Sequence, residues 1–157
     1  MKTKSIIQEL TQEDLVNLLC TATFGSYWLE CYAYDREGLE ITDEDCLEDV
    51  WAKALLAGKE IECIDHYCED ELYGPHAVRI DEDGWGVYRI SLQDIIDGLQ
   101  KCADGNFKAD DDEYGEREKS WLRKCFNHFI NNDSVEMDQP EAEALMQIIM
   151  FGELIYG

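Results

Sequence analysis

Cys63, His66 and Cys68 are the tightest group of metal-ligating residue types in this chain, spaced Cys-x-x-His-x-Cys at the end of a strand-like segment. Zinc takes four ligands, usually as two spaced pairs. No second pair follows, although His76 or another cysteine could approach in space. The alternative is that Cys63 alternates into the core while His66 and Cys68 occupy the next loop. Asp65, His66 and Cys68 could also be drawn as a nucleophile with its base, but adjacent residues do not face each other as that chemistry requires. The acidic stretches fail as calcium loops. An EF-hand frame from Asp104 puts Ala109 at the glycine position and Gly115 at the bidentate glutamate, and a frame from Asp110 puts Trp121 there. Walker, dinucleotide, zincin and nucleophile-elbow motifs are all missing. The expectation is a protein with no catalytic residues and no cofactor. A small metal-dependent enzyme built on Cys63, His66 and Cys68 is the third of three readings.

The positions that do point to an activity are acidic. The chain carries 36 Asp+Glu against 13 Lys+Arg, a formal net charge of −23. Self-repulsion of this size opposes compaction, and solubility alone needs far less. Between Glu37 and Asp83 there are 16 acids and three bases. Glu44, Asp45, Glu48 and Asp49 sit there in a segment, Asp43 to Ala57, whose apolar positions Leu47, Val50, Trp51, Ala54 and Leu55 repeat as in a helix. On one helix Glu44 and Glu48, and Asp45 and Asp49, are i,i+4 pairs of like charge, which destabilise it slightly. That local cost marks the face as a candidate partner-binding surface. Acid in a first helical turn is also ordinary dipole compensation. A second block, Asp110, Asp111, Asp112 and Glu113 with Glu116 and Glu118, falls in a polar, glycine-punctuated stretch read as an exposed acidic loop over 104–118. Such dense carboxylate can stand in for a phosphate backbone in front of a basic groove. Direct binding to nucleic acid or to an anionic membrane is disfavoured, because both want a basic face. The expected partner is the basic surface of a protein.

The elements that must hold these residues follow from capping and periodicity. Thr11 and Asp14 form a capping box ahead of Leu15, Leu18, Leu19 and Ala22, and this helix should stop near Gly25. Residues 27–35 alternate loosely and are rich in aromatics (Tyr27, Trp28, Tyr32, Tyr34), which reads as a strand whose rings, with Trp85 and Tyr88, belong to a sheet core rather than a ligand cage. The second helix ends at Gly58, and a strand follows over 59–65. A hairpin turns at Asp83 and Gly84 between 77–81 and 86–90. Ser91 caps a third helix to about Ala103. A fourth runs from about Arg117 to Asn131, and a fifth from Asp138, with Pro140 in its first turn, to about Leu154. The fold class is α+β, a small antiparallel sheet of three to four strands packed with about five helices.

A length of 157 residues fits a single domain over 1–157, and 45% hydrophobic content argues against disorder. Residues 1–14 lack the apolar run of a secretory signal, and no stretch is long enough for a membrane span. The seven cysteines are an odd, scattered set, as expected of a cytoplasmic protein with reduced thiols. Met146, Ile149, Met150, Leu154 and Tyr156 make the last helix apolar on more than one face, so it is expected either as a homodimer face or as buried core.

Three segments carry a resemblance. They are Asp14 to Cys31, the turn at Leu56 to Gly58 together with Ile90 to Lys101, and Asp138 to Gly157, which contains Gln-x-x-x-Phe-Gly-Glu-x-x-Tyr-Gly. They resemble a family of small uncharacterised proteins from phages and prophages of Gram-positive bacteria. The resemblance implies an origin on a mobile element and residence in the host bacterial cytoplasm, and it supplies no functional residues. Phages commonly encode small acidic proteins that blunt host defences. The expected function is therefore a phage-encoded acidic inhibitor of a host defence nuclease, anti-CRISPR or anti-restriction, acting by stoichiometric binding through nucleic-acid mimicry. The alternative is a phage accessory protein with a structural or regulatory partner.

Overall fold

A computed structural model describes residues 9–131 and 137–156. Residues 1–8 of the segment read for a signal, and Gly157 of the terminal motif, lie outside the described residues. Helix α1 is Gln12–Thr23. The Thr11 hydroxyl accepts from the Asp14 amide at 3.2 Å and Asp14 accepts from the Thr11 amide at 3.0 Å, so two otherwise orphaned donors are satisfied. Its Leu15, Leu18, Leu19 and Ala22 are buried.

Strand β1 is Leu29–Tyr32, shorter than the aromatic run suggested. Helix α2 is Leu47–Leu56, and β2 is Ile61–Asp65. The hairpin strands are β3, Ala77–Ile80, and β4, Gly86–Ile90. Gly84 takes a φ of 81° in the turn between them, as its pairing with Asp83 anticipated. The sheet is antiparallel in the order β1-β2-β4-β3. Helices α3 (Leu92–Asp104), α4 (Glu113–Ile130) and α5 (Gln139–Phe151) complete an α+β fold, as expected.

Three helix boundaries differ from the sequence expectation. Helix α2 begins at Leu47, with Cys46 as its N-cap, so Glu44 and Asp45 precede it and form no i,i+4 pairs with Glu48 and Asp49. The cause is local. Asp45 accepts from the Thr42 amide at 2.8 Å and binds Lys53 Nζ at 2.7 Å, which holds the chain in a turn, and Asp49 accepts from the Cys46 amide at 2.9 Å. Leu47, placed on the apolar face, is 61% exposed because it is the first helical residue and projects beyond the core. Helix α4 begins at Glu113 rather than near Arg117, since Asp112 accepts from the Gly115 amide and caps it. The exposed acidic loop is thereby shortened, and Glu113, Glu116 and Glu118 are helical. Helix α5 stops at Phe151, where Gly152 adopts a left-handed cap with φ 78°.

The core is one cluster between the helical layer and the inner sheet face. Within it α5 is surrounded: Met146, Ile149 and Met150 are buried inside the chain, so of the two expectations for this helix the buried core is the one observed. Gly98 explains how closely α3 and α5 approach. A Cβ there would lie 2.5 Å from the Ile149 side chain and 2.7 Å from its Cα. No helix of the described residues is long and apolar enough to cross a membrane.

Candidate functional site: an aromatic and acidic cleft

Strand alternation puts Cys31, Cys63 and Tyr88 on the inner sheet face, and two residues on from Cys63 it puts a carboxylate there too. Asp65 is fully buried. Tyr156 donates its hydroxyl to Asp65 Oδ2 at 2.7 Å, and the Tyr67 amide donates to Oδ1 at 2.9 Å. Burial pushes the Asp65 carboxyl up from its usual range, against the pull of these two donors. The same pair pushes the Tyr156 phenol up, through burial first and then its bond to Asp65.

Tyr156 belongs to a strap, residues 152–156, that folds back along α5. Gln147, nearly buried in α5, clamps it. Its Oε1 accepts from the amides of Ile155 and Tyr156 at 2.8 Å each, and its Nε2 donates to the Tyr156 carbonyl at 3.0 Å. Phe151 packs against Trp28, Tyr73, Tyr88 and Tyr156 with ring centroids 5.1–6.1 Å away. The terminal motif of the sequence is thus a piece of architecture: Gln147 clamps, Phe151 anchors, Gly152 turns the chain, and Tyr156 pins the strap to β2.

On the other side of the strap, the Lys108 amide donates to the Gly152 carbonyl at 3.2 Å. Lys108 Nζ lies 3.5 Å from Glu153. The loop then passes so close over the start of α4 that a Cβ on Gly115 would fall 1.8 Å from the Asp110 carbonyl oxygen. Only glycine fits there without moving the loop.

Between strap, loop, α4 and the start of α5 lies a cleft of about 750 Å³. Its walls include Tyr27, Trp28, Tyr67, Tyr114, Trp121 and Tyr156. Trp28 fixes one wall by donating its indole N–H to Glu143 at 2.8 Å. The ionisable residues on the cleft are Lys108 and Arg117 against Asp110, Glu118, Glu143 and Glu153. Lys108 is engaged with Glu153, and Arg117 with Glu113 at 3.2 Å. Among the described residues, neither Asp110 nor Glu118 forms an ion pair. Glu118 is pushed up by burial and then by the charges of Asp110 and Asp112, so negative potential accumulates there without a counter-charge.

The residues singled out from the sequence are dispersed. Cys63 faces Cys31 across β1 and β2, with sulfurs 3.6 Å apart, and both are buried. His66 packs on Trp85 with ring centres 3.9 Å apart, and its Nε2 lies 2.5 Å from Glu30 Oε1, an ion-pair separation off the hydrogen-bond line. Cys68 donates to the Gly84 carbonyl at 3.0 Å. Among the described residues no three His, Cys, Asp or Glu side chains converge on a point that could hold a metal. Asp65 turns inward and His66 away from it, so the drawn nucleophile constellation is not assembled either.

The acidic candidates divide. Glu44 is exposed and Glu48 half-buried. Asp45 serves Lys53, whose hydrogen bond holds its carboxyl below the usual range, and Asp49 serves the start of α2. In the second block Asp110 reaches the cleft, Asp111 is exposed, Asp112 caps α4, and Glu113 pairs with Arg117. The aromatic run expected as sheet core also divides. Trp28 and Tyr88 are buried, whereas Tyr27 is 86% exposed and Tyr32 and Tyr34 lie on the outer sheet face. There Arg89 sits 4.5 Å from the Tyr34 ring and 3.1 Å from Glu62. The cleft itself was missed. The available signal was Asp65, a carboxylate at the inward position of Ile61-x-Cys63-x-Asp65.

Comparison with protein-family models, with curated proteins and with solved structures gives no match for this chain.

Proposed function

We propose that this protein is a non-catalytic, stoichiometric inhibitor that occupies the positively charged nucleic-acid-binding surface of a host defence nuclease. The observation that carries the reading is the display of acid on a folded framework. Of the 16 acids between Glu37 and Asp83, ten are exposed, all on turns and loops, beside hydrogen bonds and ion pairs such as Asp45 with Lys53 at 2.7 Å that fix the backbone. A preorganised anionic surface loses less freedom on binding than a disordered acidic tail. Its field speeds encounter with a basic groove. The phage origin that the terminal motif implies supplies the class of target.

The test is competition between this protein and DNA or guide RNA for CRISPR effectors and restriction enzymes. Association should be fast at low ionic strength and fall steeply with salt, since screening acts over about 8–10 Å near physiological strength. Replacing Asp43, Glu44 and Glu48 by Asn, Gln and Gln should weaken inhibition while keeping the fold. Equal inhibition by both proteins removes mimicry by that surface. No competition with nucleic acid across the panel leaves the same surface to a structural or regulatory partner, the accessory reading.

A further inference from the structure

We infer that the cleft between the strap and α4 receives an arginine side chain of the partner, its guanidinium held among aromatic faces and the carboxylates of Glu118 and Asp110. This deepens the reading of a basic protein partner and rests on it. The cleft gathers large aromatic side chains that the fold leaves in water: Tyr27 is 86% exposed, Tyr114 61%, Tyr67 49% and Trp121 39%. Aromatic faces attract cations, most strongly where water is excluded. The carboxylates make the choice of charge. Four acids face two bases on the walls, both bases are already paired, and Glu118 stands part-buried in uncompensated negative potential.

An anionic ligand is unsuited to the place, although two helices start beside it. The amide of Gly115 is taken by Asp112 and that of Glu141 by Asp138, each at 3.0 Å, Pro140 offers no N–H, and the capping carboxylates set negative charge where an anion would sit. A neutral apolar ligand would strip water from Asp110 and Glu118 without replacing it. Arginine suits better than lysine, because its planar, weakly hydrated guanidinium both stacks on rings and presents a fork to a carboxylate. A volume of about 750 Å³ lies within the range of ligand sites, leaving room for the peptide backbone beside the guanidinium.

The probe is a short glycine–arginine peptide, with the same peptide carrying neutral citrulline in place of arginine as its control. Each is titrated into the full-length, nitrogen-15-labelled protein while the four tryptophan indole N–H signals are followed. The arginine peptide should shift Trp121 and Trp28 saturably, with the citrulline peptide at least about tenfold weaker. Trp121→Ala and Glu118→Gln, an exposed and a part-buried residue on the cleft side of α4, should each weaken binding by about tenfold with an unchanged far-ultraviolet spectrum. Equal shifts by the two peptides, no shifts, or shifts confined to Trp51 and Trp85 outside the cleft overturn the assignment. The assay contains no nuclease. Failure here with nuclease inhibition intact removes the cleft alone, while peptide binding without inhibition keeps the cleft and removes the proposed target.

Discussion

The acidic stretch from Glu37 to Asp83 and the cleft beside the strap both display carboxylates, but they use them differently. In the stretch, acids that look available in sequence are occupied by the fold: Asp45 by Lys53 and Asp49 by the start of α2. In the cleft, Lys108 is taken by Glu153 and Arg117 by Glu113, and Asp110 and Glu118 are left without a base beside aromatic walls. Charge density alone therefore does not separate acid that the fold employs from acid that it displays. The cleft differs in joining acid that the fold leaves without a counter-charge to aromatic surface that it leaves uncovered.

The comparison can be broken most forcefully at Trp28, which belongs to both the core and the cleft. Trp28→Ala should cost about 3–5 kcal/mol of stability, measured by denaturant unfolding, because it empties a packed site between β1 and α5. Trp28→Phe keeps most of that packing and loses the bond to Glu143, so its cost should be a fraction of the alanine value.

Next comes Tyr156→Phe. It deprives buried Asp65 of a donor and should cost about 1–3 kcal/mol at neutral pH. The pH dependence sharpens the point. The folded Asp65 carboxyl is raised above its unfolded value, so its stabilising contribution is complete below the ordinary carboxyl range near 3.9 and is lost as pH rises through the folded value. Asp35 and Asp45 are lowered and run the opposite way: their contribution is present above the ordinary range and lost as pH falls through their folded values. Removing the Tyr156 hydroxyl raises Asp65 further, so the loss of stability between pH 4 and neutrality should steepen (roughly 1.4 kcal/mol per unit of added shift). A variant with an unchanged slope would show that Asp65 finds another donor.

Smaller effects separate working acids from spare ones. Asp49→Ala should cost about 0.5–1.5 kcal/mol through its bond to the Cys46 amide. Glu44→Gln should change stability by no more than about 0.5 kcal/mol. If only the second of these alters the salt dependence of partner association, the division between structural and displayed acid holds.

Much of the fold was legible because it rests on local signals. Thr11, Ser91 and Asp138 cap where expected, and Gly84 turns the hairpin. The start of α2 was not, because the competing turn depends on Lys53, eight residues from Asp45, an interaction that periodicity does not register. The cleft was less legible still. It is assembled by Asp65 and Tyr156, 91 residues apart, and by a loop seated on Gly115. The terminal motif was visible as a pattern, while its work as a strap depends on where α5 places Gln147.

The cysteines give the molecule an internal clock. Cys46 is exposed, whereas Cys31 and Cys63 face each other across two strands, and Cys102 and Cys125 lie between two helices; the contact with Cys31 and then burial push the Cys63 thiol well above its usual range, and burial does the same to Cys102 and takes Cys125 to about 12. The thiolate is the reactive form, so a thiol reagent under native conditions should mark Cys46 at once, half-buried Cys20 more slowly, and wait on opening for the buried pairs. The waiting time of the strand pair reads the sheet and that of the helix pair reads the α3–α4 packing, two local opening rates recorded in one sample.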